Sequence, residues 1–249
     1  MKKKLLVLLA LGLVYVTTYA QENKLRFGLT VFPTLNVIKP DVDAIEKTKN
    51  GLGFSYGLLT DFTFRSNYSF STGLLISQFN GTISYPDRAF PDENDRSNNF
   101  PATTEAKLKL QYIEIPLTLK LRTNEIGYIT YYGQFGLGLG INIKATQDLE
   151  IKYNSQTLTV DDQEINDDIK LFRSALVVGG GIEYNLSGNT AIQVGITFNN
   201  GFTNILNGKV AATDGNGDVQ VDSNNEIVRS DKDRSATNNY FALNLGIFF

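Results

Sequence analysis

The chain has 249 residues, of which 42% are hydrophobic and 20% are charged, and these proportions exclude disorder of the whole chain. It contains no Cys and no His, which excludes disulfides, Cys- or His-ligated metal sites, the lipidated Cys of a lipoprotein, and catalysis by a thiol or a histidine. The 23 basic and 26 acidic side chains give a net charge of −3, so no nucleic-acid partner is indicated.

Residues 1–20 have the pattern of a secretory signal peptide. Three lysines, Lys2 to Lys4, precede an apolar run from Leu5 to Val16, and small residues lead to Ala20. An N-terminal membrane anchor is the alternative, but this run is shorter than the ~20 apolar residues that span a bilayer as a helix. We therefore predict export, removal of residues 1–20, and a single domain over residues 21–249.

From Lys24 onward the hydrophobicity alternates with period two, which is typical of β-strands. In the first such segment Leu25 and Phe27 alternate with Arg26 and Gly28. No segment has a persuasive helical period, so the predicted fold class is all-β. Eight strands are predicted, at about 24–36, 51–65, 67–85, 106–122, 126–144, 169–186, 190–200 and 238–249.

The predicted connections alternate strictly between short and long. The short ones are tight polar turns at 65–67, 123–125 and 187–189, and the long ones are polar stretches at 37–50, 86–105, 145–168 and 201–237. Short turns at one end and long loops at the other are typical of membrane barrels. The pattern therefore predicts an eight-stranded antiparallel up-and-down transmembrane β-barrel. A soluble barrel with its apolar face inside shares the alternation and remains the alternative.

The face opposite the apolar one carries small residues together with charged and amide side chains. In a membrane barrel this face lines the lumen, where opposite charges can pair, whereas a Lys or Arg exposed to lipid at the midplane costs ~2–4 kcal/mol. On a soluble sheet these side chains would instead be solvated. We predict a structural polar network in the lumen, formed by Arg26, Asp61, Lys120 and Glu183 near the short turns, Glu114 and Gln134 nearer mid-height, and Arg173.

The apolar face carries aromatic residues near the short turns, as expected for a girdle at a membrane interface. The chain ends on Phe249 after an alternating apolar row. This row resembles the β-signal by which outer-membrane proteins are delivered to the barrel-assembly machinery, and we expect it to act as an assembly signal. Its members are Phe241, Leu243, Leu245, Ile247 and Phe249.

Four stretches carry a resemblance to a known family. They are Gln111 to Lys120 (QYIEIPLTLK), Gly73 to Ser77 (GLLIS), Gly179 to Tyr184 (GGGIEY) and Gly201 to Ile205 (GFTNI). Together they are similar to the PorT-like outer membrane protein beta-barrel domain family, and the likeness covers nearly the whole chain after residue 20. It implies an outer-membrane barrel that interacts with lipid, lipopolysaccharide and the barrel-assembly machinery. For PorT-type members it also implies a role in protein secretion and gliding motility.

Two motifs have alternative interpretations. The alternating glycines Gly136, Gly138 and Gly140 lack the spacing and the following helix of a nucleotide-binding loop, so we expect them to make room in the lumen. The run 214–218 places Asp214, Asn216 and Asp218 at alternate positions, as calcium loops do, but the rest of an EF-hand is missing. Ordinary turn chemistry is the other interpretation.

The sequence thus predicts a non-enzymatic, monomeric barrel of the bacterial outer membrane with a plugged polar lumen and no cofactor or metal. Two roles fit this prediction, a structural or surface-interaction protein and an accessory to protein secretion with a further protein partner. A small-solute porin and a soluble extracytoplasmic ligand-binding barrel remain the alternatives. The acidic long loops have two interpretations. They keep the surface solvated, or they attract positive charge in the form of a basic partner or of the divalent cations that bridge lipopolysaccharide.

Overall fold

A computed structural model describes residues 25–92 and 95–249, and the predicted signal peptide lies outside these ranges. Every strand pairs with its neighbours in antiparallel fashion. Within the described ranges, no helix is long and apolar enough to cross a lipid bilayer. The strands are β1 Leu25–Pro40, β2 Glu46–Arg65, β3 Tyr68–Ala89, β4 Phe100–Arg122, β5 Ile129–Tyr153, β6 Gln156–Glu164, β7 Phe172–Ser187, β8 Thr190–Gly201, β9 Lys209–Ala211, β10 Arg229–Asp233 and β11 Ala236–Phe248.

Eight of these strands close into a ring, which confirms the predicted eight-stranded barrel. The order is β4-β3-β2-β1-β11-β8-β7-β5, and a ladder between β4 and β5 closes it. The first and last strands are therefore neighbours, with Gly28 opposite Phe248 and Pro40 opposite Ala236. Strand β6 folds back on β5 outside the ring, and β9 and β10 form a separate two-stranded sheet.

Most strands run further at the long-loop end than predicted, and the exception is β7, which begins at Phe172 rather than 169. Strand β4 begins at Phe100 rather than 106, and β5 continues to Tyr153 rather than 144 and then turns into β6. The predicted loop 145–168 is therefore mostly a β-hairpin, followed by a 3-10 helix at Asn166–Asp168. At the other end β5 starts three residues late, because 126–129 form a tight turn with Gly127 at φ 66°.

The loop prediction failed because the polarity of the sheet inverts along the strands. In the lower part of β4 and β5 apolar side chains such as Leu137 and Leu139 point outward and are exposed. Beyond a bulge at Ile143 of β5, opposite Gln111 and Tyr112, the outward residues are polar, as at Glu150, while the inward residue Leu149 is buried. A polar outer face looks like a loop when only average hydrophobicity is considered.

The exposed apolar side chains of the lower part form a continuous belt around the barrel. Aromatic rings mark the short-turn edge of the belt, where Phe64 lies 6.3 Å from Tyr68 and Tyr128 lies 6.2 Å from Tyr184, measured between ring centroids. Such an outward apolar band with aromatic edges is the surface that lipid requires. The buried hydrophobic core lies elsewhere, inside the barrel at the long-loop end.

Candidate functional site

A charge cluster fills the lumen at the short-turn end. Lys120 Nζ lies 3.1 Å from Asp61 Oδ2 and 2.6 Å from Glu183 Oε1, and Arg26 Nη1 lies 2.8 Å from Glu183 Oε2. Arg122 joins both carboxylates, with its Nε 3.2 Å from Glu183 and its Nη2 against Asp61. We call these five residues the lower cluster. It contains three basic and two acidic groups from strands β1, β2, β4 and β7.

Neutral groups complete the lower cluster. Gln193 Oε1 accepts a hydrogen bond of 2.6 Å from Lys120 Nζ. The Lys120 ammonium also lies 4.6 Å from the ring centroid of Tyr132 and 4.8 Å from that of Phe248, within the range of cation–π attraction. Lys120 is only 1% exposed, so its charge is balanced almost entirely by these protein contacts.

A second cluster lies higher in the lumen, below the apolar core. Arg173 Nη1 donates to Glu114 Oε1 at 2.8 Å, and Glu114 Oε2 accepts from Ser77 Oγ at 2.7 Å and from the Tyr240 hydroxyl at 3.2 Å. Asn199 accepts a hydrogen bond from Arg173 Nη2. We call these five residues the upper cluster. Every one of them is less than 9% exposed.

An internal cavity of about 50 Å³ separates the two clusters. Gln134 lines this cavity and donates to Thr197 Oγ1 at 3.3 Å, and Asn244 donates to the same oxygen at 2.6 Å. The volume has room for a few water molecules among polar partners and is too small for a solute. The lumen therefore consists of two ion-pair layers with a small cavity between them, lined by both polar and apolar side chains.

The structure brings together the four residues predicted near the short turns, and it pairs Glu114 with Arg173. Gln134 lies on the cavity wall, where its side-chain amide donates to Thr197 rather than to a cluster member. Arg122 is the charged cluster member that sequence reasoning missed. The signal was present, because period-two alternation from Lys120 places Arg122 on the lumen face as well.

An apolar plug closes the lumen above the upper cluster. Residues from the connections after β6 and β8 enter the barrel mouth, and Ile205 and Leu206 are 0% and 1% exposed. Asn204 holds this segment: its Oδ1 accepts from the backbone N–H groups of Leu206 at 2.9 Å and Ala236 at 3.0 Å, and its Nδ2 donates to Arg234 O at 2.8 Å. The GFTNI stretch is thus the anchor of the plug.

Glycines allow large side chains to occupy the narrow lumen. A Cβ built on Gly140 would lie 3.3 Å from the Tyr112 ring and 3.5 Å from Arg173 Cβ. At Gly138 the nearest atoms, on Asn199 and Val177, are 3.3 Å away. A Cβ built on Gly136 would lie 2.1 Å from the backbone oxygen of Leu117. Gly136 therefore allows two strands to approach closely.

The run 214–218 forms an Asx turn in the structure. Asp214 Oδ1 accepts from the backbone N–H groups of Asn216 at 2.9 Å and Asp218 at 3.0 Å, and Gly217 has φ 87°. The same arrangement recurs eight residues later, where Asp222 Oδ1 binds the N–H groups of Asn224 and Glu226. In the described ranges no group of three or more Asp or Glu side chains is placed to hold a metal ion.

The predicted assembly signal lies on β11, the last strand of the ring in chain order, and ends at Phe249 directly after it. Its side chains point outward into the belt, with Phe241 56% and Phe249 50% exposed. The backbone of Phe249 exchanges two hydrogen bonds with Phe27 on β1, of 2.8 and 3.0 Å. Phe248 points inward and is fully buried next to the lower cluster. The remaining outward members of the row are Leu243, Leu245 and Ile247.

Solved structures similar to this chain are outer-membrane barrels. Neisserial surface protein A is 8% identical, with 91% of this chain and 96% of that chain covered and a TM-score of 0.43. OprG from Pseudomonas aeruginosa is 9% identical, with 91% and 96% covered and a TM-score of 0.40. Ail of Yersinia pestis is 14% identical, with 90% and 98% covered and a TM-score of 0.33. At these values the likenesses carry no inference about function.

Comparison at the level of sequence gives a clearer result. Among curated proteins, none matches this chain. The family described as outer membrane protein beta-barrel domain matches residues 19–207, which is most of the chain. The exposed apolar belt and the closed ring of strands agree with that assignment. This chain therefore belongs to the outer membrane protein beta-barrel domain family and resides in the bacterial outer membrane.

Proposed function

We propose that this protein is a non-enzymatic outer-membrane barrel with a closed lumen, whose folded extracellular part binds a partner at the cell surface. The observation that carries the proposal is the closure of the lumen by three successive layers: the lower cluster, the upper cluster and the apolar plug. Eight strands leave an interior only wide enough for side chains, whereas open aqueous channels belong to barrels of ~16–18 strands. The soluble-barrel alternative is wrong, because the protein resides in the outer membrane.

The extracellular part supports a role in binding. From Lys144 to Tyr153 strand β5 continues about 30 Å along its own direction beyond the belt, at ~3.4 Å per residue. Strands β3 and β4 accompany it, and ion pairs join their outer faces, as between Lys109 Nζ and Asp148 Oδ1 at 2.7 Å. This wall presents a fixed surface, and binding to a fixed surface loses less conformational entropy than binding to mobile loops.

A porin is the competing function, and conductance separates the two. Purified protein in a planar bilayer should show no stable open channel. A channel in the nanosiemens range would overturn the closed-lumen proposal. Loss of the channel in a variant with a strengthened plug would show that solutes pass through this lumen.

The location of the partner separates a surface role from the secretion role of PorT-type proteins. A photo-crosslinking amino acid at Val160 on β6 probes the extracellular wall, and one at Asn189 probes the turn after β7 at the periplasmic end. We expect protein adducts or glycan adducts from Val160 in intact cells. A stoichiometric periplasmic protein captured only at Asn189 would favour the secretion role instead.

The proposal includes export and assembly. Residues 1–20 act as a cleaved signal peptide, and residues 21–249 form a single monomeric barrel domain surrounded by lipid and lipopolysaccharide. The outward row that ends at Phe249 is read by the barrel-assembly machinery. The position of Phe249 supports this role, because its backbone pairs with Phe27 where the last strand of the chain, β11, meets the first, β1.

A further inference from the structure

A cleft of about 260 Å³ opens on the extracellular part and shares no lining residue with the cavity between the two clusters. One wall is the end of β3 with Tyr85 and Asp87, and another is the β5–β6 hairpin with Gln147 and Gln163. The third wall is formed by β9, β10 and the residues that follow. It contributes Lys209, Arg229 and Arg234. The volume lies below the ~300–1,000 Å³ of most small-molecule pockets, so it suits one sugar-sized unit.

Two guanidinium groups in the cleft have unused hydrogen-bond donors. Arg229 makes no ion pair with a described residue, and its Nη1 reaches only Lys209 O at 3.4 Å. Arg234 lies over the Tyr85 ring at 5.7 Å, and its Nη1 is 3.6 Å from Asp168 Oδ1, which is beyond a hydrogen bond. Because a guanidinium carries five N–H groups, most of the donors here remain available to a ligand.

The acidic groups that face the cleft are largely engaged. Asp87 accepts from Thr104 Oγ1 at 2.8 Å and from the Arg88 backbone N–H at 2.8 Å. Asp168 faces Arg234, and Lys209 pairs at 3.1 Å with Asp233. The positive charge of Arg229 is therefore the one without a carboxylate partner in the described part of the cleft. An incoming anion would supply the missing partner of the Arg229 guanidinium.

Tyr85 adds a neutral donor beside the two arginines. Its hydroxyl forms no hydrogen bond with the described residues. Burial raises the pKa of Tyr85 to about 12, and the neighbouring Asp87 carboxylate contributes to the increase. The hydroxyl therefore keeps its proton at neutral pH and can donate it to an oxygen of a ligand.

The opposite wall offers groups that fit sugar hydroxyls. Gln147 Nε2 donates to Gln163 Oε1 at 2.8 Å, which leaves the Gln147 oxygen as an acceptor and the Gln163 amide as a donor. Leu149 and Ile45 add apolar surface for the C–H face of a ring. A cation pair, a phenol, two amides and a small apolar surface together match a carboxylated hexose better than a peptide or a lipid chain.

We propose that this cleft binds one carboxylated hexose unit of an acidic polysaccharide, with Arg229 and Arg234 on the carboxylate and Gln147 and Gln163 on the ring hydroxyls. The inference rests on the proposed surface-binding function and names its ligand class. The polysaccharide can belong to the same cell or to another surface. Hexuronic acid that co-purifies with mildly extracted protein indicates the same cell. Binding only of added saccharide indicates the other source.

The test uses the full chain in detergent micelles, with trigalacturonate as the probe and galactotriose as the neutral control, measured by calorimetry. We expect trigalacturonate to bind about tenfold or more tightly than galactotriose, since a charge-assisted contact distinguishes them. Arg229→Gln should weaken trigalacturonate binding about tenfold, and Tyr85→Phe should weaken it severalfold. Arg96→Gln, an exposed arginine outside the cleft, should change it less than about twofold.

Equal binding of the acidic and neutral saccharides, or an Arg229→Gln variant that is folded and binds like the parent, would overturn the inference. The β-sheet circular dichroism signal confirms that each variant is folded. Failure of the saccharide inference leaves the surface role standing if Val160 still captures a partner. An open channel in the bilayer experiment overturns the parent proposal independently of any saccharide result.

Discussion

Lys120 and Glu183 meet across the lumen with Nζ 2.6 Å from Oε1, although β5 separates their strands in the sheet. The ion pair therefore connects parts of the wall that no backbone ladder joins. Both side chains are nearly fully buried, so each charge depends on its partner rather than on water. Removing Lys120 takes a buried ammonium donor away from Asp61, Glu183 and Gln193, and breaking a buried pair in this way is strongly destabilising.

Lys120→Met should lower the free energy of unfolding by about 3 kcal/mol, measured by urea unfolding followed by circular dichroism. The matched control is Lys107→Met, because Lys107 is 59% exposed in its side chain and lies 3.9 Å from Asp148. The control should change stability by less than about 0.5 kcal/mol. Similar losses in both variants would show that the lumen pair contributes no more than a surface pair.

Gly28→Ala should impair folding, because the new Cβ would lie 2.6 Å from the Phe248 ring at the seam between β1 and β11. Overpacking of this kind costs about 1–3 kcal/mol. Combining it with Phe248→Leu should recover part of the loss, while Gly133→Ala, with its nearest atom 4.0 Å away, should be harmless. The measurement is the urea midpoint, and an unaffected Gly28→Ala variant would contradict the close packing.

Asn204→Ala should loosen the plug without opening the barrel. It removes three hydrogen bonds that hold the segment after β8, so trypsin should cleave faster at Lys209, Arg229 or Arg234. The β-sheet signal and the absence of conductance should persist, because both ion-pair clusters remain. Asn224→Ala is the control, since only the backbone N–H of that residue forms a hydrogen bond. Equal cleavage rates would argue against the anchoring role.

Acid should loosen the extracellular wall. The hydrogen bond from Lys109 lowers the pKa of Asp148, and the one from Lys152 lowers the pKa of Glu105. Because their pKa values are lower in the folded state, both carboxylates stabilise the fold at pH values above their unfolded pKa values of 3.8 and 4.5. This stabilisation is lost as the pH falls through the lowered pKa values of the folded state. Hydrogen exchange in β5 and β6, corrected for the intrinsic rate, should therefore increase below about pH 4. Asp148→Asn should flatten this dependence, and an unchanged profile would contradict it.

Deleting Phe249 should reduce the amount of assembled barrel and increase periplasmic degradation. The deletion removes the residue whose backbone pairs with Phe27 and one outward ring of the terminal row. Quantitative blotting of outer-membrane and periplasmic fractions measures both effects. Asn189→Ala, in an exposed periplasmic turn, is the control. Normal assembly without Phe249 would contradict the role of the row as an assembly signal.

Alternation predicted the ring of strands and the inward direction of Asp61, Glu114 and Lys120, because each of them follows period two within one strand. It did not predict which charges meet. Glu114 and Arg173 are 59 residues apart and stand on strands that are not neighbours, so their contact depends on register and barrel closure. Sequence pattern on a single strand contains no information about either.

The extracellular wall escaped prediction for another reason. At Lys144 and Glu150 of β5 the outward residues are charged, and the inward neighbours are small or apolar, as at Ala145 and Leu149. The alternation continues, but in this part the outward face is polar and the inward face is apolar. A single assumption about which face meets lipid therefore described the lower half of the barrel correctly but assigned part of the upper half, residues 100–105 and 145–164, to loops.

The bulge at Ile143 of β5, opposite Gln111 and Tyr112 of β4, marks the height at which both strands pass from the chemistry of a membrane protein to that of a soluble one. Below it, leucine belongs outside and a charged side chain inside, and above it the preference reverses. Lysine at an outward position of β4 should therefore change from destabilising to tolerated within a few residues. A lysine scan along the outward positions from Leu121 to Glu105 would map the height at which the bilayer ends.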